Sequence, residues 1–276
     1  IQRMGFFTFG VKTQHLGFNH LIQVLNKTYM TVVNNYHFPN QIVDNFFEDP
    51  KEIVEFAKTL KYDPCAHGRW PGVRSIGLHK INYPFFNSVL NRIFSMFYDY
   101  SIHKVNWKDT QMYFQKTYPY DLENKDNIVN HGLVHCDGEQ PIVGLVYLTE
   151  GADIESGTSI MSQVEGYSDE QIEKIGLKHE NKKKHIYKQS PENLTKKDLE
   201  EYAELIKDCN SGYVENIKIN NIFNRAIFYS GSDYHKANSF YTGEKERLTL
   251  VFFIKGIETT GYSPLQRLRL CKTIYE

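Results

Sequence analysis

The sequence predicts an α+β fold whose core is a β-sandwich or barrel, on three observations. Helical patterns come first, short strand-like runs follow from about residue 110, and one heavily charged helical stretch interrupts the strands at about 163–213. The chain has 276 residues, 41 % apolar and 14 % aromatic, enough to fill one sizeable core. The division expected is a single unit over 1–276: an arm and supporting helices over 1–109, the β core over 110–256 carrying the insert, and a C-terminal extension over 257–276.

Residues 1–37, rich in aromatics and Asn, read as an irregular arm or short strands. Asp49-Pro50 then opens a helix, since Asp caps well and Pro suits a first helical turn. Ile53, Phe56, Ala57 and Leu60 give that helix one apolar stripe. Pro64, Gly68, Pro71, Gly72 and Gly77 mark 62–80 as a loop, and Phe85, Val89, Ile93, Phe94 and Phe97 mark a second helix over about 84–100.

Strands are expected at Gln111–Tyr118, at Ile128–Asp137 with a break at Gly132, and at Ile142–Thr149, Gly157–Ser162, Val214–Tyr229 and Arg247–Lys255. The run Leu248–Ile254 is apolar throughout, as in a strand buried on both faces. Inside the insert, Asp169–Leu177 and Asn193–Asp208 are the helix candidates, with Ser190-Pro191 as punctuation between them. The basic run Lys182-Lys183-Lys184 reads as a solvated helix face.

Composition excludes several classes. Lys plus Arg total 32 and Asp plus Glu 33, a net charge of -1, so nothing draws the chain as a whole to nucleic acid. No run reaches the apolar length of a membrane helix. The opening Ile1-Gln2-Arg3-Met4 lacks the layout of a secretory leader. Cys65, Cys136, Cys209 and Cys271 are widely spaced and read as free thiols, which fits a cytoplasmic protein.

The most informative tripeptide is His135-Cys136-Asp137. In a strand, residues i and i+2 share a face, so His135 and Asp137 would aim an imidazole and a carboxylate at one point while Cys136 turns away. His235, beyond the apolar stretch Ala226–Tyr229, is the best third ligand, and Arg247 follows at the start of the last strand. Two histidines and one carboxylate leave three positions of an octahedral iron open. Taken alone, His-x-Asp also suits an exposed turn. His131 is a satisfied structural residue or a group behind the ligands. Arg69, Trp70 and Arg74 form either an entrance to a site or a packed Trp with two solvated arginines.

The order His135-x-Asp137, His235, Arg247, with Val146-Tyr147-Leu148-Thr149 and Gly157-Thr158 between, resembles the Fe(II)- and 2-oxoglutarate-dependent oxygenases, in particular their prolyl-hydroxylase-like branch. Ile42–Phe47 and Trp70–Arg74 are similar to oxygenase-like proteins of phages and marine bacteria. The resemblance covers about half the chain and implies a double-stranded β-helix (jelly-roll, cupin-like) core. It implies an enzyme using Fe(II), 2-oxoglutarate and O2 to hydroxylate a C–H bond of a peptidyl, for example prolyl, or small-molecule substrate. His135, Asp137 and His235 would hold the metal. Arg247 would hold the far carboxylate of 2-oxoglutarate, with Tyr147, Thr249 and Tyr118 as further contacts and Lys236 or Lys245 as competitors. The carboxylate of Asp137 distinguishes the chain from iron halogenases. Two other readings remain: a non-catalytic jelly-roll binding or structural protein, and a cupin-type metalloenzyme that uses no 2-oxoglutarate. The insert is expected to cover the mouth of the site.

Overall fold

The computed structural model describes residues 31–33, 38–243 and 246–270, and in these helices are combined with antiparallel sheets. The expected arm over 1–37 lies almost wholly outside the described residues, as do Lys245 and Cys271. The helix at Asp49-Pro50 forms as α1 (Pro50–Lys58), with the Asp49 carboxylate accepting from the Lys51 and Glu52 N–H groups at 3.1 and 3.2 Å. After α2 (Leu78–Ile81), Asn82 caps α3 (Tyr83–Ser95), which buries Phe86, Val89, Leu90, Ile93 and Phe94 along one stripe. It ends before the expected residue 100, because Phe97 and Tyr98 are carried into the core by a tightened turn back to the Phe94 carbonyl.

In chain order the strands are β1 (Thr31–Val33), β2 (Gln41–Val43), β3 (Tyr62–Pro64), β4 (Val73–Ser75), β5 (Val105–Lys108), β6 (Gln111–Thr117) and β7 (Ile142–Tyr147). They continue with β8 (Thr158–Gln163), β9 (Tyr213–Ile219), β10 (Ala226–Tyr229), β11 (His235–Ala237), β12 (Arg247–Ile254) and β13 (Gly256–Thr259). A seven-stranded sheet runs β2-β10-β7-β12-β6-β4-β3, a three-stranded sheet β11-β8-β9 and another β1-β13-β5. The expected loop over 62–80 thus contributes two short strands, β3 at the edge of the sheet and β4 between it and β6. Their three-residue length hides any period, and Pro64 is tolerated because an edge strand has a side without partners.

Two expected strands are corrected. Ile128–Asp137 is not a strand: Asn127 caps a single 3-10 turn at Ile128–Asn130, and 131–137 runs irregularly apart from one bridge at His135. The buried Asn130 side chain accepts from the Tyr120 and Asp121 N–H groups at 2.8 and 2.9 Å, so local turn chemistry overrides the apolar pattern. Val214–Tyr229 divides into β9 and β10, which lie in different sheets. The crossing is made at Asn224, whose φ is 64° and whose side chain binds the Phe47 N–H and carbonyl at 2.8 Å each.

The strand β12 shows how the layers are set. Leu248, Leu250, Phe252 and Ile254 face the core that the helices cover, with Phe94, Phe114 and Leu90 among their neighbours. On its other face Arg247, Thr249, Val251 and Phe253 line a cavity. Beside that cavity Ile160 and Ile219 of the small sheet pack against Val143, Leu145, Ile227 and Val251 of the large one. The chain therefore places helices on one face of the large sheet and the small sheet on the other.

The insert forms α4 (Asp169–Tyr187), with a capping box between Ser168 and Gln171, and α5 (Lys196–Asn210), with one between Thr195 and Asp198. The first helix continues beyond Leu177 because the second supports it. Asp208 accepts from Lys178 and His179 at 2.8 Å each, Lys182 pairs with Glu201, and Ile186 and Tyr187 pack with Tyr202, Leu205 and Ile206. Among the described residues no helix is long and apolar enough to cross a membrane, and Cys65, Cys136 and Cys209 carry free thiols.

Candidate metal centre and its cavity

His135 and His235 are joined by one antiparallel bridge. The His135 N–H donates to the His235 carbonyl at 3.0 Å and the His235 N–H returns to the His135 carbonyl at 2.9 Å. This bridge supplies the shared face that the sequence assigned to a strand. The Asp137 N–H donates to the Gly231 carbonyl at 2.8 Å, and Gly138, at φ +99°, turns the chain away. The ligand atoms of His135, Asp137 and His235 lie within 4.8 Å of one another. Asp137 is 3.4 Å from the His235 Nε2 and 3.9 Å from the His135 Nε2.

Both imidazoles are oriented from behind in the same way. The His135 Nδ1 lies 2.9 Å from the Leu133 carbonyl and the His235 Nδ1 lies 2.9 Å from the Asp233 carbonyl. A carbonyl only accepts, so each Nδ1 carries a proton and each Nε2 directs its lone pair at the convergence point. His235 is buried; the His135 side chain has 47 % of its surface accessible, but that surface faces the concave cavity. Enclosure there pushes its pKa down to about 4, with His235 acting the same way and Asp137 against it. Burial raises the Asp137 carboxyl, yet its neighbours His235, His135 and the Arg74 cation outweigh it and hold the group below the usual carboxylate range.

Arg247 stands on the same cavity, 4 % exposed. Its Nε donates to the Ser156 carbonyl at 3.1 Å, while its Nη2 is buried without a partner. Thr117 faces it across the β6–β12 pairing, and the Thr117 Oγ1 is also buried and unpartnered. Thr249, two residues along β12, lines the same wall.

The other expected contacts lie elsewhere. The Tyr147 hydroxyl donates to Thr158 Oγ1 at 2.8 Å, and Thr158 rather than Tyr147 reaches the cavity wall. Tyr147 acts from behind, its ring 5.4 Å from the Arg247 guanidinium carbon. Tyr118 lines a separate small cleft with Tyr120 and Pro191, because the chain turns at Pro119 and carries it off the β6 face. Lys236 is partly buried, sensing the charge of Glu215 on β9, and neither it nor His131 lines the cavity.

Residues that the sequence left ambiguous or misjudged complete the wall. Arg74 is enclosed: its Nε donates to Gln115 Oε1 at 2.7 Å, and its guanidinium lies 4.1 Å from the Trp70 ring centre and 5.3 Å from that of Phe253. Burial lowers its pKa to about 10, with Asp137 opposing, so it remains a cation. Of the basic run, Lys182 pairs with Glu201 and Lys184 with Glu180, while Lys183, together with Tyr187 one turn on, lines the cavity. The solvated-face reading is thus corrected for Lys183. Successive helical residues diverge by about 100°, and only the packing of α4 determines which one turns inward. Thr117 was not singled out by the sequence; the available signal was the alternation along β6 that puts it on the same face as Gln115.

The insert also meets the loop before β4. Gly68, at φ +63°, sits where a Cβ would come within 2.5 Å of the Lys184 carbonyl oxygen. Helix α4 and the loop carrying Arg69 and Trp70 thereby close one side of the cavity together.

A family model described as a family of unknown function (DUF6445) matches residues 27–240. No curated protein matches the chain by sequence. Solved structures similar to it include a Pseudomonas putida prolyl-4-hydroxylase, 10 % identical, covering 78 % of this chain and 91 % of that one with a TM-score of 0.39. A Trichoplax adhaerens prolyl hydroxylase, in complex with a hypoxia inducible factor peptide fragment, is 10 % identical over 92 % of both chains, TM-score 0.40. The non-heme alpha ketoglutarate dependent epimerase SnoN from nogalamycin biosynthesis is 9 % identical over 87 % of this chain and 86 % of its own, TM-score 0.39.

Proposed function

The chain belongs to this family of unknown function, and from that premise we propose that it is an Fe(II)- and 2-oxoglutarate-dependent dioxygenase that hydroxylates a C–H bond of its substrate. The reading rests on one juxtaposition: a convergent His-Asp-His set shares a cavity with a buried arginine whose outer nitrogen has no partner. Two nitrogen donors and one oxygen donor without thiolate suit a divalent iron with open positions. An unpaired guanidinium nitrogen in a dry wall suits one carboxylate of a dicarboxylic acid. The facing sheets are read, within the same proposal, as a double-stranded β-helix.

In this reading His135, Asp137 and His235 hold the metal, and the Leu133 and Asp233 carbonyls keep the imidazoles aimed. Fe(II), 2-oxoglutarate and O2 together supply an oxidant that removes hydrogen from a C–H bond and leaves a hydroxyl, the co-substrate departing as succinate and CO2. Arg247 binds the outer carboxylate through Nη2 and Thr117 binds it through Oγ1. The Ser156 carbonyl keeps the guanidinium plane fixed through Nε. Leu145, Val251 and the ring of Tyr229 line the wall and keep bulk water from the reacting centre.

An anaerobic titration with Fe(II) and then 2-oxoglutarate tests the proposal by the weak visible charge-transfer band of the chelate. The band is expected in the wild type and lost in Asp137→Ala. Metal binding without any 2-oxoglutarate band would overturn it and favour a cupin-type metalloenzyme.

A further inference from the structure

The cavity that holds the candidate metal centre is strongly cationic, although the chain as a whole has a net charge of -1. Arg69, Arg74, Lys183 and Arg247 all line it, and Asp137 is the one carboxylate among its described lining residues. Among the described residues none of these four cations forms an ion pair, whereas the neighbouring Lys182 and Lys184 both do. On the proposed function, on which this inference rests, a divalent metal and Arg247 are balanced by Asp137 and the two carboxylates of the co-substrate. Arg69, Arg74 and Lys183 are left over. They line the same cavity as His135 and Asp137, Arg74 and Lys183 half-buried and Arg69 exposed.

Uncompensated charge in a partly enclosed site is costly unless a ligand neutralises it. Arg74 in particular is held in place by uncharged partners, Gln115 and the face of Trp70, with its charge unmatched. Trp70, Tyr187 and Phe240 add flat apolar surface to the same wall. The space is a cleft, open on one side and closed on another where Gly68 meets the backbone of Lys184. A concave site of this kind suits a small molecule.

We propose that the substrate is a small organic acid, its carboxylate or phosphate group held by Arg69, Arg74 and Lys183 and its apolar body laid against Trp70, Tyr187 and Phe240. The anionic group fixes the substrate at the mouth of the site and leaves the body to reach the metal. The cleft walls focus the field of the three cations, which speeds capture of an acid at low salt.

Trp70 reports on this directly, because it touches Arg74 and the chain has two tryptophans. In Trp107→Phe protein, which retains Trp70 as the reporter, fluorescence is titrated with 3-phenylpropionate against 3-phenylpropionamide, and with phenyl phosphate against phenol. Each titration is run with Zn(II) and 2-oxoglutarate present and repeated without them. The acids are expected to bind at least about tenfold more tightly than their neutral counterparts. The carboxylate and phosphate arms show which anion the site prefers. Adding Arg69→Gln and Lys183→Gln should remove about tenfold or more of the acid affinity and leave that of the amide within about twofold. Arg247→Met should leave acid binding in place. Equal binding of acid and amide would overturn the inference. So would acid binding that survives the double substitution, or that depends on Arg247 alone. Loss of 2-oxoglutarate binding with acid selectivity retained would count against the proposed co-substrate and not against the anion site.

Discussion

Arg247 and Thr117 stand opposite each other across β12 and β6, and each ends in a buried polar atom, Nη2 and Oγ1, that has no hydrogen-bond partner. Buried polar groups are nearly always satisfied, so two orphans side by side on a cavity wall mark where a ligand's acceptors belong. Arg247→Met should weaken 2-oxoglutarate binding by about 2–5 kcal/mol, while Thr117→Val, which removes one neutral hydrogen bond, should cost about 0.5–1.5 kcal/mol. Without co-substrate the sign reverses. Replacing an unpaired buried cation by an apolar chain of similar length should leave urea stability unchanged or raised. If Arg247→Met destabilises the ligand-free protein by several kcal/mol, the guanidinium is structural.

Metal binding should appear as stabilisation, because a ligand that binds only the folded chain raises its unfolding free energy with concentration. Wild-type Tm should rise with Fe(II) under anaerobic conditions, or with Zn(II) as a redox-inert substitute. His135→Ala, Asp137→Ala and His235→Ala should each lose that rise. A variant that keeps the full metal-dependent shift is not a ligand.

Much of this site was legible before any fold was known, and particular residues show why. His135, Asp137, His235 and Arg247 are marked by residue type and order, which survive even though the segment 128–137 forms a turn and a single bridge instead of a strand. Thr117 was not singled out, although alternation along β6 puts it on the same face as Gln115. Lys183 had no signal, because nothing local separates it from Lys182 and Lys184; its direction depends on how α4 packs on α5. Tyr147 was expected beside the ligand; its hydroxyl donates to Thr158, which stands on the cavity wall in front of it. The short strands β3, β4 and β5 were missed because three or four residues carry no measurable period.

A pH effect follows from Asp44, which receives a bidentate pair from Arg225, Nε to Oδ1 at 2.5 Å and Nη2 to Oδ2 at 2.9 Å. The hydrogen bond from Arg225 holds its carboxyl below the ordinary range, with burial acting against it and the Arg225 charge adding to it. A carboxylate with a lowered folded-state pKa contributes its stability in full above the unfolded value, about 3.9, and loses it as pH falls through the lower folded value. The Asp44 side chain is 52 % exposed, so the contribution should stay below about 1 kcal/mol. The stability difference between wild type and Asp44→Asn should be flat from pH 7 to 5 and shrink below pH 4. A difference that grows on acidification would contradict the pairing.

Gly68 links the Arg69–Trp70 loop to the insert. At φ +63°, with the Lys184 backbone where its Cβ would be, an alanine there is strained twice. Gly68→Ala should cost at least about 1–3 kcal/mol or push the loop away from α4. Hydrogen exchange should then rise over 66–72 and 180–187 together. Exchange confined to the loop would mean that the two elements do not support each other.

Asn210, at the end of α5, tests whether the insert positions the metal ligands as well as walling the cavity. Its Oδ1 accepts from the Val134 N–H at 2.8 Å and its Nδ2 donates to the Gly132 carbonyl at 3.1 Å, so one side chain satisfies both backbone groups just before His135. Gly132 and Val134 are buried and cannot turn to water instead. Asn210→Ala leaves both groups unpaired, which costs about 1–3 kcal/mol for each that stays dry. Asn210→Asp keeps the acceptor for Val134 but replaces the donor to Gly132 with a second acceptor, so it restores one bond and sets an oxygen against the other. If the clamp positions His135, Asn210→Ala should weaken metal affinity beyond the loss of stability, with 2-oxoglutarate affinity at saturating metal unchanged because Arg247 stands on a different strand. Asn210→Asp should retain more metal affinity than Asn210→Ala while remaining less stable than wild type. Equal metal affinity in all three proteins, with only unfolding free energy altered, would make Asn210 a structural tether and leave the positioning of His135 to its bridge with His235.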